Sequence, residues 1–173
     1  CMFLTVISPT QAFGENVEPL QFDGTQSSWA EPELMEAFNN SLTYEQVMNN
    51  YTKYITREEF CTLVIKLYEK LTNKLPSYSG DPFKDTDNIE ILKAYELGIV
   101  KGTSQDTFSP DNNITRQEIC VMIYRALSVT IANLDNTTGE FPFKDTDKIA
   151  DWALDAMKFT CCIIKICNRY GQC

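Results

Sequence analysis

Apolar residues recur at helical spacing along two stretches of the chain, and both stretches open with the same start signal. Phe60, Leu63, Val64, Leu67 and Leu71 keep a three-to-four-residue period, and so do Ile119, Met122, Ile123, Ala126 and Leu127. Each stripe predicts an amphipathic helix. Thr56 with Glu59, and Thr115 with Glu118, have the spacing of a capping box, which satisfies otherwise orphaned backbone N–H groups. Ile55 with Phe60, and Ile114 with Ile119, stand at the two positions of a hydrophobic staple. A shorter helix is predicted ahead of each stripe. Ile89, Leu92, Lys93, Tyr95 and Leu97 predict one that Gly98 closes in a left-handed conformation. Trp29, Leu34 and Phe38 predict another, with Pro32 in its first turn, and Ile149, Trp152, Ala153, Ala156 and Met157 a third. Turn-forming residues dominate from Gly98 to Asn113, so helix, long ordered loop and capped helix follow one another.

The pattern is an internal repeat. Pro82-Phe83-Lys84-Asp85-Thr86-Asp87 returns as Pro142-Phe143-Lys144-Asp145-Thr146-Asp147, with Phe83 and Phe143 60 residues apart. Ile55-Thr56-Arg57-Glu58-Glu59-Phe60-Cys61 returns as Ile114-Thr115-Arg116-Gln117-Glu118-Ile119-Cys120, with Arg57 and Arg116 59 residues apart. Two unrelated strings at nearly one period define units at 15–75, 81–133 and 141–173, with linkers around 72–80 and 134–140. The first unit lacks the Phe-Lys-Asp opening, and the third lacks the Thr-Arg string.

Composition narrows the chemistry. The 173 residues include 15 Lys plus Arg against 24 Asp plus Glu, for a net charge of −9, and no His. Nucleic acid is a poor partner for such a surface, and His-dependent triads, bases and metal sites are closed. No run is long and apolar enough for a membrane span. Asp85 and Asp145 read as caps of the following helix or braces of the loop. An EF-hand-like site would need a further oxygen ligand and then Gly where Ile89 and Glu90, or Ile149 and Ala150, stand. No metal or cofactor is expected. Cys61 and Cys120 share one repeat position and read as small packing residues. Residues 1–14, an apolar run followed by Ala12-Phe13-Gly14, read as the remnant of a secretory signal and imply export. Four of the seven Cys fall in the last thirteen residues, without the paired spacing of a zinc site.

The ordered elements resemble the S-layer homology family of bacterial surface proteins. The second unit carries the whole pattern: Phe83-Lys84-Asp85, Gly98-Ile99-Val100-Lys101-Gly102, Phe108-Ser109-Pro110 and Thr115-Arg116-Gln117-Glu118. The first keeps Trp29 and Thr56-Arg57-Glu58-Glu59, and the third Phe143-Lys144-Asp145 and Trp152. The resemblance implies a mainly α fold of tandem helix–loop–helix repeats, assembled into a three-lobed pseudo-trimeric bundle that is incomplete here. It also implies a non-catalytic anchor whose inter-repeat grooves hold a pyruvylated secondary cell-wall polysaccharide, on a secreted protein at the cell wall or S-layer. On that analogy Arg57 and Arg116 pair with the pyruvyl carboxylate, Gly102 and Thr103 let the sugar approach, and Trp29 lines a groove.

The residues themselves support part of this. Arg57 and Arg116 stand at the first helical position, where the helix dipole disfavours a cation, so local helix stability does not explain them. A guanidinium beside free N–H groups suits a carboxylate; a bridge to an acidic residue of a neighbouring unit is the structural alternative, and both stay open. Core packing is the simpler role for either tryptophan and the preferred one for Trp152. Aligning Cys162-Ile163-Ile164-Lys165-Ile166 with the second unit's turn replaces both glycines, so the tail reads as a corrupted or prematurely ended repeat. Self-association could then cover apolar faces that the third unit leaves open. A subunit of a self-assembling surface layer is the alternative function; a carboxylate-only glycoside hydrolase, or the anchoring part of one, ranks below it.

Overall fold

A computed structural model describes residues 21–132, 134 and 146–164. Among them lie α1 (Glu31–Asn39), α2 (Arg57–Thr72), α3 (Ile89–Glu96), α4 (Arg116–Thr130) and α5 (Leu154–Ile164). Short 3-10 turns occupy Ser28–Ala30, Glu45–Val47, Thr146–Lys148 and Asp151–Ala153. The protein is mainly helical; among the described residues the one β pairing is an isolated antiparallel bridge between Thr56 and Asn113. No described helix is long and apolar enough to cross a membrane.

Local chemistry accounts for the helix ends. At the start of α2, the Glu59 N–H donates to the Thr56 hydroxyl at 3.2 Å and the Thr56 N–H to the Glu59 carboxylate at 2.8 Å. Thr115 and Glu118 repeat this reciprocal cap at α4. The cap of α3 is Asn88, whose side-chain oxygen accepts from the Glu90 N–H at 2.8 Å. The same helix ends in a Schellman arrangement: with Gly98 at φ +72°, its N–H reaches the Tyr95 carbonyl and the Ile99 N–H that of Ala94, both at 2.9 Å.

The helices pack in series, α3 against α2, α2 against α4 and α4 against α5. The main core joins Cys61, Val64 and Ile65 of α2, Ile91, Leu92 and Ala94 of α3, and Met122 and Ala126 of α4. Loop residues Phe83, Ile99, Val100 and Phe108 complete it. Phe83 sits between two rings, edge-on to Tyr95 at 5.2 Å and 5.4 Å from Phe108. A second cluster of Val121, Ala153 and Ala156, with Tyr124, Ile149 and Met157 at its margin, joins α4 to the start of α5.

The structure revises several expectations. The buried face of α2 includes Cys61 and Ile65, which the apolar stripe omits, whereas Leu71 is exposed, because α3 and α4 meet this helix on adjoining faces. Trp29 and Trp152 lie on the 3-10 turns that precede α1 and α5, not on the α-helices themselves. Trp152 is not core: 59% of it is exposed. Asp85 does not cap α3. Its carboxylate accepts the N–H groups of Phe108 and Ser109 at 2.8 and 2.7 Å and clasps the two ends of the loop together.

The first unit has the same clasp without the Phe-Lys-Asp string. Asp23 accepts the Asn50 N–H at 2.6 Å and the Thr25 N–H at 3.0 Å. Asn50 and Ser109, 59 residues apart, both have positive φ (49° and 62°). Residues 1–14, Asp145 with the rest of its Phe143-Lys144-Asp145 string, and Cys167 and Cys173 of the tail lie outside the described residues.

Candidate functional site: a cationic cleft between repeats

The start of α2 is built into the loop of the following unit. The Arg57 and Glu58 N–H groups donate to the Asn112 and Pro110 carbonyls at 2.9 and 3.1 Å, and the Ile114 N–H to Ile55 at 3.1 Å. The first two N–H groups of α2 are therefore already paired, and neither is free beside Arg57 to receive a ligand carboxylate. The Arg57 side chain is drawn inward as well, with only 4% of the residue exposed. Its Nε donates to the Phe108 carbonyl at 3.0 Å, its guanidinium lies 4.8 Å from the centre of the Phe108 ring, and its Nη1 pairs with Glu118. The other Glu118 oxygen holds the Thr115 cap. The structural alternative, an Arg bridging to an acidic residue of the next unit, is present.

Beside this pair opens a cleft of roughly 450 Å³. Val100, Lys101, Gly102 and Thr103 line it from the turn after α3; Glu118, Val121, Met122 and Arg125 from α4; and Trp152 from the turn before α5. Arg57 contributes from α2. Gly102 is required by the turn itself. A Cβ there would collide with the Ser104 carbonyl oxygen and stand 2.6 Å from that of Thr107 and 2.9 Å from the Phe83 ring. The Thr103 N–H donates to the Thr107 carbonyl at 2.7 Å, and its hydroxyl lies 2.9 Å from that of Ser109.

Arg57, Gly102 and Thr103 thus come together in one cleft, while Arg116 and Trp29 do not line it. Arg116 is exposed at the start of α4. Its neighbour Gln117 fastens the third unit, donating to the Lys148 carbonyl at 3.2 Å and accepting the Ala150 N–H at 3.0 Å. Trp29 is 57% exposed on its own turn.

Among the lining residues, three cations face one carboxylate, in a chain of net charge −9. Arg125 donates to the Ile99 carbonyl at 3.3 Å, and burial lowers its pKa from the usual arginine value. Guanidinium and ammonium groups suit an anion, and the exposed indole of Trp152 offers a flat apolar face to a sugar ring. Glycoside hydrolysis uses a pair of carboxylates across the scissile bond, whereas the lining residues include only Glu118, already paired.

Residues 82–120 match the S-layer homology domain.

That match covers the turn, the Thr115 cap and Glu118, one wall of the cleft; Arg57, Arg125 and Trp152 come from outside it. An S-layer homology domain implies attachment at the cell wall and a cell-surface location. The chain is 27% identical over 139 residues to the exoglucanase XynX of Acetivibrio thermocellus, and 28% over 142 residues to an endoglucanase of Bacillus sp. (strain KSM-635). These alignments take in 76% and 79% of this chain but 12% and 15% of the relatives. An amylopullulanase of Thermoanaerobacterium thermosulfurigenes is 35% identical over 80 residues, 42% of this chain and 4% of that protein. The chain thus spans only a small fraction of the length of these relatives. No solved structure matches.

Neither Lys101 nor Arg125 stood out in the sequence as a site residue, and Trp152 was assigned to the core, whereas all three line the cleft. The signal for Arg125 was available: Glu118, Val121, Met122 and Arg125 follow the i, i+3, i+4, i+7 pattern of one helix face. Trp152 was hidden by its place in an apolar stripe, because a periodic pattern does not separate a core face from the wall of an open cleft.

Proposed function

We propose that the chain is a non-catalytic wall anchor that binds an anionic, pyruvylated secondary cell-wall polysaccharide in the cleft beside Arg57. The observation that carries this reading is the concentration of Arg57, Lys101 and Arg125 around a single, already paired carboxylate, next to the exposed Trp152. A local excess of cations attracts a carboxylate-bearing glycan even on an acidic protein, because distant charges are screened over about 10 Å at 0.1 M salt. Gly102 shapes the turn that lets the polymer approach, and Thr103 presents a hydroxyl at the rim. Arg116 and Trp29 belong, on this reading, to grooves that involve the other faces of the units.

The anchor is secreted and works as the attachment part of a longer surface protein. The enzyme names of the relatives and the small share of each that this chain matches support that view. Self-association through residues 141–173 is a further part of the proposal.

Co-sedimentation of the chain with purified cell walls, and with walls stripped of their secondary polymer, tests it. Sedimentation with intact walls and none with stripped walls is the expected result. Equal sedimentation with both, or release of reducing sugar from the walls, would overturn the reading.

A further inference from the structure

The three cations of the cleft are not equivalent. Arg57 is neutralised from within the protein by Glu118 and held by the Phe108 carbonyl and ring. A ligand carboxylate would have to displace an ion pair to reach it. Arg125 lines the same cleft half-buried, and its hydrogen-bond partner is a neutral carbonyl, that of Ile99 at 3.3 Å; among the described residues no carboxylate pairs with it. A guanidinium withdrawn from water without a counter-charge is an incomplete ion pair whose missing half is an anion.

The first unit fills the corresponding positions differently. Fifty-nine residues before Thr103 and Arg125 stand Tyr44 and Lys66. Tyr44 donates its hydroxyl to the Glu59 carbonyl at 3.3 Å, and the Lys66 ammonium lies 5.9 Å from the centre of its ring. There the corresponding cation has an internal partner.

We infer that Arg125 is the residue that receives the carboxylate of the bound polymer, and that Arg57 is a positioning residue that joins the loop to α4 through Glu118. The inference rests on the polysaccharide reading above and adds which cation discriminates. Lys101, exposed on the turn, adds a second, screened charge. The fork of Arg125 can meet both oxygens of one carboxylate, as a lysine in its place cannot.

The test uses the full chain and secondary polymer isolated from cell walls, one sample intact and one freed of ketal-linked pyruvate by mild acid. Calorimetry reads the preference for the intact sample, and circular dichroism melting reads the fold. Arg125→Gln should reduce the preference by about 10- to 100-fold, with the larger loss of affinity on the intact, pyruvylated sample. Arg125→Lys should keep part of the preference, and it serves as the test should the glutamine variant fail to fold. A folded Arg125 variant with the wild-type preference overturns the role of Arg125 and leaves the polysaccharide reading standing. A wild-type chain that binds both samples equally overturns the pyruvylated-ligand reading, and with it the carboxylate as the partner of Arg125.

Discussion

Arg57 and Arg116 stand behind the same reciprocal Thr–Glu cap, at the first position of helices 59 residues apart in a repeated string. One is buried against Phe108 and paired with Glu118; the other is exposed. The local geometry of the two helix starts is nearly the same. What differs is the neighbour. The loop of residues 108–114 folds over the start of α2 and supplies carbonyls, a ring and, through Glu118 on the helix that follows, a counter-charge. At α4 the neighbouring segment is fastened through Gln117 instead. A repeated string therefore sets where a helix begins, while the unit packed against it sets what its first side chain does.

The largest expected effect divides the two arginines. Arg57→Ala leaves Glu118 without its partner and removes the cation from the Phe108 ring, so urea unfolding should show a loss of about 3 kcal/mol or more. Arg116→Ala, at an exposed position, should stay within about 0.5 kcal/mol. Equal losses would break the comparison.

The caps should behave alike where the arginines do not. Thr56→Ala and Thr115→Ala each remove one hydroxyl that accepts an N–H at the third helical position. Each should cost about 1 kcal/mol in the same unfolding experiment. A cap that mattered at only one helix would show that packing reaches further into these termini than their hydrogen bonds indicate.

The smallest effect concerns the two loop clasps and is read from pH. The Phe108 N–H, followed by that of Ser109, holds the Asp85 carboxyl below its ordinary value, with a nearby Arg57 charge acting in the same direction. The Asn50 N–H, followed by the Thr25 hydroxyl and N–H, does the same for Asp23. Because the folded pKa is depressed, this stabilisation is complete above the ordinary carboxylate range of about 4 and is lost as pH falls through the folded value. Asp85→Asn and Asp23→Asn should each flatten the fall of melting temperature on acidification. A slope unchanged in both variants would show that the clasps do not set the acid limb.

Legibility varied with the range of the interaction. The capping strings, the closure of α3 at Gly98 and the existence of α2, α3 and α4 depend on residues within a few positions of one another, and they could be read from one stretch of chain. The clasp by Asp85 depends on N–H groups more than twenty residues away, so the aspartate was recognised but its task was left between two roles. Asp23 was missed because the first unit performs the same closure with a different string. Spacing along the chain puts Arg125 on one helix face with Glu118, but it does not record that this face, the turn carrying Lys101, the start of α2 and a 3-10 turn meet around one cleft, so neither cation stood out.

The sequence by itself determined the helical class, the two-string repeat and the ends of its helices, because backbone N–H and C=O groups at helix termini are satisfied locally. Tertiary structure alone decided that Arg57 is buried, that Trp152 lines a cleft and that Arg125 faces that cleft without a carboxylate partner among the described residues. Burial and charge pairing depend on which surfaces meet, and a side chain's own segment does not say what will be packed over it.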